Sequence, residues 1–422
     1  MKTTPFWTDD FPRPADLPIS PLPSRVDVAI VGGGYTGLNA ARVLAKNGAS
    51  VAVLEQHTIG WGASSRNGGM ATTGIKAAAP VMVERYGKEL GRAFWEASLD
   101  AIDLIGEIVA EEELECHFLR KGHVALAAKP SHFEKMKERV AWFKRELGHT
   151  MYLVSPADLR DEIGSNAFYG GMVDELSAGL HPARYVFGLA RAVAGHGAQL
   201  CENTAVTHVE KGHQVFNVHT SQGPVVASEV LVATNGYTDH LLPSLKPRIF
   251  PGGSYIIITE PLAPALQKKL SPKGRMMYDS RWFLNYFRLT PDGRMLFGGR
   301  NNLSTSLDLQ ESARRLHKRM VEVFPDLRGV RLTHSWTGQL GLTFDLMPHI
   351  GRLDGVHYAL GYCGHGVSIA TYLGTEVGLL LAGKKTRSPF AEIPHETHFF
   401  YRHRPWFLPF AAFYYRLLDW LK

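Results

Sequence analysis

The sequence predicts a two-domain α/β (α+β) protein in which a parallel-stranded βαβ domain is interleaved with a domain built on a mixed sheet. Three observations predict this. A strand–glycine turn–helix–strand pattern opens the chain at Val26–Glu55. Further on, helical patterns alternate with antiparallel strand runs, so neither domain is one continuous stretch. The 422 residues give room for two ordinary domains with a sizeable core.

Residues 1–25 are proline-rich and read as an extended arm lying on the first domain. Val26–Val31 is an apolar run, and Gly32, Gly34 and Gly37 then form G-x-G-x-x-G, with Tyr35 and Thr36 inside the turn. The first glycine allows the tight turn, the second lets a backbone approach a pyrophosphate, and the third lets helix and strand pack closely. An Ala/Leu-rich helical pattern follows, then Val51–Leu54 and the carboxylate Glu55, with Gln56 beside it. Free N–H groups at the helix start favour a pyrophosphate, and an acid about 20 residues on suits a ribose hydroxyl. This is the context of a Rossmann-type dinucleotide site. Gly60–Gly69 is a second loop of small residues with one cation, containing Gly62, Ala63, Ser64, Arg66, Asn67, Gly68 and Gly69. Such a loop lets backbone lie close to a flat ring or a phosphate. It favours a cofactor reaching beyond the first βαβ unit, FAD rather than NAD; a plain surface loop is the alternative.

Residues 84–147 are charged and amphipathic, with helices expected around Leu90–Ala110 and His132–Leu147 and a strand at Gly122–Ala128 between them. Residues 184–194 read as a helix. Leu200–Val218 and Pro224–Val232 alternate like strands, with a turn at Lys211-Gly212. Ser254–Glu260 is a β-branched-rich strand. Trp282–Leu289 and Arg294–Gly299 flank Thr290-Pro-Asp-Gly293 as a hairpin, and Glu311–Val323 reads as a helix. There is no internal repeat.

Hydrophobic residues at 45% and charged residues at 20% describe an ordinary globular chain. The net charge of +6 comes without a long Lys/Arg run, so no nucleic-acid partner is inferred. Three cysteines, Cys116, Cys201 and Cys363, lack C-x-x-C spacing and suit a reducing compartment. The histidines are scattered and no metal site is read. The N-terminus has no apolar secretory core and no run is long enough to span a bilayer, so a cytoplasmic location is expected.

Several segments together resemble the FAD-dependent oxidoreductases of the D-amino-acid oxidase, glycine oxidase and sarcosine oxidase superfamily, and within it the γ-glutamylputrescine oxidoreductase-like branch. They are the opening βαβ unit with Gly60–Gly69, Ala233–Thr238, Ser254–Leu262, Leu284–Arg294, Thr337–Pro348 and Gly361–Val367, spread over most of the chain in the expected order. The resemblance implies a discontinuous FAD-binding domain from 1–83, 151–245 and 331–395, a mixed-sheet substrate domain from 84–150 and 246–330, and a tail at 396–422. It places Gly364, His365, Gly366 and Val367 at a helix start meeting the flavin ring, where amides stabilise negative charge. A proton-transfer role for His365 stands beside a satisfied loop histidine. Gly338 and Gly341 approach the ring from the other side, Ala205-Val206 clasps the adenine through a backbone amide, and Thr234, Asn235 and Gly236 line the cofactor. Arg66 reaches the pyrophosphate or the substrate, or is solvated. Some relatives bond the flavin through a cysteine that Thr337–Met347 lacks, so noncovalent FAD is expected.

Facing the ring, the substrate domain offers Tyr255, Trp282, Tyr286 and Arg288. Alternation places Trp282, Leu284, Tyr286 and Arg288 on one strand face. Aromatic walls with one cation suit a small anion or zwitterion, with Arg288 pairing a carboxylate; a solvent-facing arginine is the alternative. Sarcosine-type oxidases hold a lysine near the flavin for dioxygen, and Leu296 stands at about that position here. The expected activity is oxidation of a primary or secondary amine, an amino acid or polyamine conjugate. Hydride passes from the carbon bearing nitrogen to flavin N5, the imine hydrolyses to an aldehyde or oxo acid, and O2 is reduced to H2O2. The alternatives are a membrane-associated dehydrogenase that passes electrons to quinone and an NAD-dependent dehydrogenase. The aromatic and basic segment 398–422 is either a docked helix or a peripheral contact with the inner face of the membrane or with a partner.

Overall fold

The computed structural model describes residues 1–300, 303–402 and 404–421, and the side chains of these up to residue 419. Two eight-stranded sheets and one two-stranded sheet carry the fold. In the first, Arg25–Val31 lies parallel to Val51–Leu54 on one side and to Gly223–Val232 on the other. Gln199–Cys201 and Val356–Leu360 extend it in parallel, and His349–Leu353 closes one edge antiparallel. An antiparallel branch, Val206–Lys211 and Phe216–Thr220, runs off Gly223–Val232. All four side chains of Val51–Leu54 are buried, the continuous apolar pattern of a parallel strand covered on both faces.

Helix Tyr35–Lys46 follows the glycine turn and packs against helix Gly366–Leu381. Gly374 faces the Thr36 backbone so closely that a Cβ would overlap its carbonyl. That closeness brings the two helix starts, 35–37 and 366–368, into one cleft.

The second sheet runs Leu332–Leu342, Phe250–Pro261, Arg294–Gly299, Asn285–Leu289, Met276–Asp279, His123–Leu126, Gly171–Asp174, Tyr152–Val154. Its backbone is the long antiparallel pairing from Phe250 opposite Leu342 to Thr259 opposite Leu332. The small third sheet pairs Met70–Ala71 with Ala178–Gly179.

This arrangement corrects several expectations. Tyr152–Val154, Gly171–Asp174 and Leu332–Leu342 fall in stretches expected to join the first domain, yet they pair in the second sheet. Short strands carry no signal for which sheet they join, and pairing partners far along the chain decide it. The helix expected from Leu90 starts at Ala79 and runs to Glu111, passing a non-helical Gly87 at φ +84°. The N-terminal arm holds a short helix, Phe6–Asp10, whose Phe6 and Trp7 are buried; the Trp7 indole donates to the Asn67 carbonyl at 2.7 Å. Trp282 is not on the expected strand, which begins at Asn285. The Asp279 carboxylate accepts from the amides of Arg281 and Asn285, and this turn swings Trp282 outward, half exposed.

Helix Leu408–Leu421 docks on the body of the protein. Leu408, Ala412 and Tyr415 pack with Phe250, Phe283, Leu342 and Cys363. Asp419 accepts from the amides of Trp282 and Phe283, and Trp282 stacks on Tyr415 at 5.2 Å. The opposite face leaves Trp406, Phe410, Phe413 and Tyr414 more than half exposed. His403 and Lys422 of the basic tail lie outside the described residues. Among the described residues no helix is long and apolar enough to cross a membrane.

Candidate functional site

The glycine turn opens a cleft of about 340 Å³, and a cavity of about 370 Å³ adjoins it. The two share Ala63, Asn67, Gln339, Leu340, Gly364 and Val367 in their walls. Most of the residues expected from the sequence meet there. Gly32, Gly34, Tyr35, Thr36, Glu55, Gln56, Gly62, Ala63, Ser64, Asn67, Val206, Thr234, Asn235, Gly341, Gly364, Gly366 and Val367 line the cleft. Arg66, Gly68, Gly338, His365 and Tyr286 line the cavity.

Each position has a local cause. Gly32 turns at φ +111° against the Ala233 carbonyl. Gly34 caps helix Tyr35–Lys46 without a side-chain hydrogen bond of its own, which leaves the first-turn amides after Tyr35 for the cleft. The Ser64 hydroxyl accepts from the Tyr35 amide at 2.9 Å and ties the second loop to that helix start. Glu55 accepts from the amides of Gly33 and His57, and burial raises its carboxyl above the ordinary range. At the far end, Cys363 at φ +50° and Gly364 at φ +107° turn the chain into helix Gly366–Leu381. That helix also starts without a side-chain cap, so its amides point into the shared wall.

Four of the expected cofactor residues lie outside the walls. Gly37 packs on the Gly32 carbonyl, and Gly236 packs on the backbone of Leu340 and Gly341. The Gly69 carbonyl accepts from Arg288 at 2.9 Å. The Ala205 amide is bonded to the Ser221 hydroxyl at 3.1 Å, while Val206, the other residue of the expected adenine clasp, lines the cleft.

The expected substrate residues divide. Tyr286 reaches the cavity, its hydroxyl beside the Ser254 hydroxyl at 3.2 Å, and burial pushes its phenol up to about 12. Arg288 does not reach it. Its guanidinium forks onto the carbonyls of Gly69 and Leu180 and lies over the Trp7 ring, so it clamps the loop below the cavity. Tyr255 is fully buried, donating to the Ser304 carbonyl and accepting from the Leu307 amide, away from both spaces. Strand alternation gave the right face, but the strand runs past the cavity floor before Arg288. Arg66 donates to the Trp61 carbonyl at 2.8 Å and lies over its ring at 4.6 Å. His365 is held neutral, its basicity lowered to about 3 by burial and by Lys76 and Arg300, and its Nδ1 is buried without a partner.

The sequence reading missed three cavity cations, the exposed Arg139 and the enclosed Lys76 and Arg300. The enclosed pair each had a signal. Lys76 is the one charge in the run Gly68–Val83, and Arg300 directly follows Gly298-Gly299. Cys363 also lines the cavity, its thiol pushed up by burial.

An elongated cleft with two uncapped helix starts, entered past G-x-G-x-x-G and ending against a second sheet, defines a dinucleotide-dependent oxidoreductase. Within that class the chain belongs to the DAO family of FAD-dependent oxidoreductases, whose model matches residues 27–378. It is 33% identical over 372 residues to the γ-glutamylputrescine oxidoreductase of Escherichia coli, covering 87% of each chain. It is 32% identical over 383 residues to the probable oxidoreductase OrdL of Haemophilus influenzae, covering 89% of this chain and 88% of that one. The solved glycine oxidase of Geobacillus kaustophilus shares the fold at a TM-score of 0.77 and 21% identity, over 89% of this chain and all of that one. The cleft fits FAD. Helix-start amides favour anions, and a Cβ on Gly34 would fill the space and stand 2.8 Å from the Ser64 hydroxyl.

Proposed function

We propose that the protein oxidises a primary or secondary amine, an amino acid or polyamine conjugate, at the carbon bearing nitrogen. The imine product takes up water and yields an aldehyde or oxo acid with release of ammonia or an amine. The observation that carries this is the shared wall at Gly364–Val367, where an uncapped helix start meets both the dinucleotide cleft and a mostly apolar cavity. When bound, FAD supplies acceptance of hydride and its electron pair, and their delivery to O2 as H2O2. The chain's own residues do the rest. The amides of Gly366 and Val367 favour negative charge at the junction. Tyr286 and Gln339 shape the wall above it and Met70 and Ile75 exclude water. A neutral His365 of such low basicity accepts a hydrogen bond but does not store a proton near pH 7. The substrate ammonium therefore loses its proton to solvent.

Mixing the purified yellow protein with primary and secondary amines without oxygen tests this. One amine should bleach the flavin band, and admitting air should restore it with formation of peroxide. The bleaching rate should rise about tenfold per pH unit up to the amine's own pKa, with no inflection near the ordinary histidine value. Bleaching by dithionite but by no amine would sink the reading.

A second reading concerns the tail. Its outward stripe of Trp406, Phe410, Phe413 and Tyr414, flanked by exposed Arg402 and Arg404, fits peripheral contact of a cytoplasmic enzyme with an anionic membrane face. Quinone then becomes an alternative acceptor. The protein should float with phosphatidylglycerol vesicles and not with phosphatidylcholine vesicles, and Phe410→Ser with Phe413→Ser should abolish this. Failure to float with either vesicle rejects it.

A further inference from the structure

We infer that Asp419, on the tail helix, is a positioning residue for the cavity: its carboxylate fills the turn at 281–283, and through that turn the tail holds the cavity wall in the shape that meets a substrate. This rests on the amine-oxidising reading above and adds what keeps its site in order.

Strands Met276–Asp279 and Asn285–Leu289 pair antiparallel, with Tyr278 opposite Tyr286. Both tyrosines line the cavity, and so does Leu284 on the connection between them. Carboxylates hold that connection in shape. Of the five amides from Arg281 to Asn285, four donate to one of two aspartates. Asp279, at the end of the strand that enters the turn, takes those of Arg281 and Asn285. Asp419 takes those of Trp282 at 2.8 Å and Phe283 at 3.0 Å, one on each oxygen. Successive backbone N–H groups form a concavity that suits an anion. Here the chain supplies the anion itself, from 136 residues beyond Phe283.

The tail helix is fastened around the same point. Tyr415 stacks on Trp282, Arg416 lies over the Phe283 ring at 5.6 Å, and the Lys129 ammonium donates to the Asp419 carbonyl at 2.7 Å. Further up the helix, Leu408 and Ala412 pack in one apolar cluster with Phe283 and Cys363. Cys363 lines the cavity next to Gly364, where the cavity meets the dinucleotide cleft. The helix therefore backs two parts of the wall, the turn that carries Leu284 and the segment that leads into helix Gly366–Leu381. Among the described residues, none of the tail helix lines the cavity itself, so its effect on a substrate passes through the wall.

A carboxylate that accepts from two amides makes charge-assisted hydrogen bonds, roughly twice as strong as neutral ones. Water can satisfy the half-exposed Trp282 in its place, but water does not tie the turn to a helix. Without the Asp419 carboxylate the turn samples other shapes, and only a fraction of molecules presents Tyr278, Leu284 and Tyr286 together. Apparent affinity falls by that fraction, while a saturating substrate selects the ordered form and keeps the limiting rate. KM rises and kcat stays. Partial unfolding does the opposite: it removes active molecules, lowers kcat and leaves KM.

The test uses the FAD-loaded full chain and a panel of benzylamine, N-methylbenzylamine, sarcosine and putrescine, carrying forward the amine that bleaches the flavin fastest. Asp419→Ala should raise its KM about tenfold, the scale of one lost charge-assisted hydrogen bond, with flavin content and kcat kept. Asp419→Asn keeps one acceptor oxygen and should fall between the two. It decides the matter if the alanine variant fails to fold. Leu417→Gln, exposed on the same helix, should match the wild type. A second readout needs no turnover. N-ethylmaleimide labelling of Cys363, followed by peptide mass, should be several-fold faster in Asp419→Ala, while Cys116 and Cys201, buried elsewhere, label as slowly as before. An unchanged KM in Asp419→Ala, whatever kcat does, overturns the inference while amine oxidation stands. If no amine bleaches the wild-type flavin, the amine reading falls and Cys363 labelling decides alone: faster labelling in Asp419→Ala keeps the tail as the brace of the wall, and equal rates overturn it.

Discussion

Gly37→Ala is expected to yield colourless, destabilised protein. A Cβ at Gly37 would overlap the Gly32 carbonyl and stand 3.1 Å from Ile30 Cγ2. The first obstacle is backbone, so no side-chain rotation relieves it. Helix Tyr35–Lys46 would have to back away from the strand, yet its residues from Tyr35 to Leu44 are all buried, and Gly374 and Gly378 of helix Gly366–Leu381 hold its other face. Overpacking of this kind costs about 1–3 kcal/mol or more, a large share of a total stability of roughly 5–15 kcal/mol. The ratio of flavin to protein absorbance and the melting temperature should both fall. Gly34→Ala makes the informative contrast. Its Cβ meets the mobile end of a side chain, Ser64 Oγ at 2.8 Å, so the fold should survive while FAD is bound weakly. A Gly37→Ala protein with full flavin content would refute the close-packing argument.

Arg288→Met should lower stability by roughly 1–3 kcal/mol and leave amine-dependent flavin reduction intact. The Leu180 carbonyl loses the hydrogen bond that Arg288 gives it, and the Gly69 carbonyl keeps only its bond from the Leu180 amide. The orphaned Leu180 carbonyl costs about 1–3 kcal/mol. Removing an enclosed cation, whose basicity burial lowers to about 10, returns part of that cost. Lysine should not rescue, because one ammonium cannot reproduce the fork onto two carbonyls. Urea melts give the stability change, and the folded variant should keep the wild-type rate of flavin bleaching by amine. Slowed bleaching with unchanged stability would move Arg288 into the substrate site, where alternation had first placed it.

The two arginines show where sequence reading stops. Arg288 lies near the end of one strand of a hairpin and Arg300 directly follows the other, and each is the only charge within several residues before it. Local pattern ranks Arg288 first because it shares a face with Tyr286. Only the path of the chain shows that this face passes under the loop at Gly69, while Arg300 turns up beside Gly364. The same limit applies to Ala205, whose amide is taken by a hydroxyl sixteen residues away. It applies equally to Trp282, which a turn around Asp279 removes from its expected strand.

By itself the sequence determined the dinucleotide cleft, the α/β (α+β) class and the family. Each of these rests on short-range physics: glycines where backbone must approach backbone, apolar period in strands and helices, and an acid one βαβ unit past the turn. Tertiary structure alone decided which sheet takes the short strands at 152–174, which face of the tail helix docks, and which cations meet the cavity. Those outcomes depend on contacts between residues tens to hundreds of positions apart, and no local spacing encodes them.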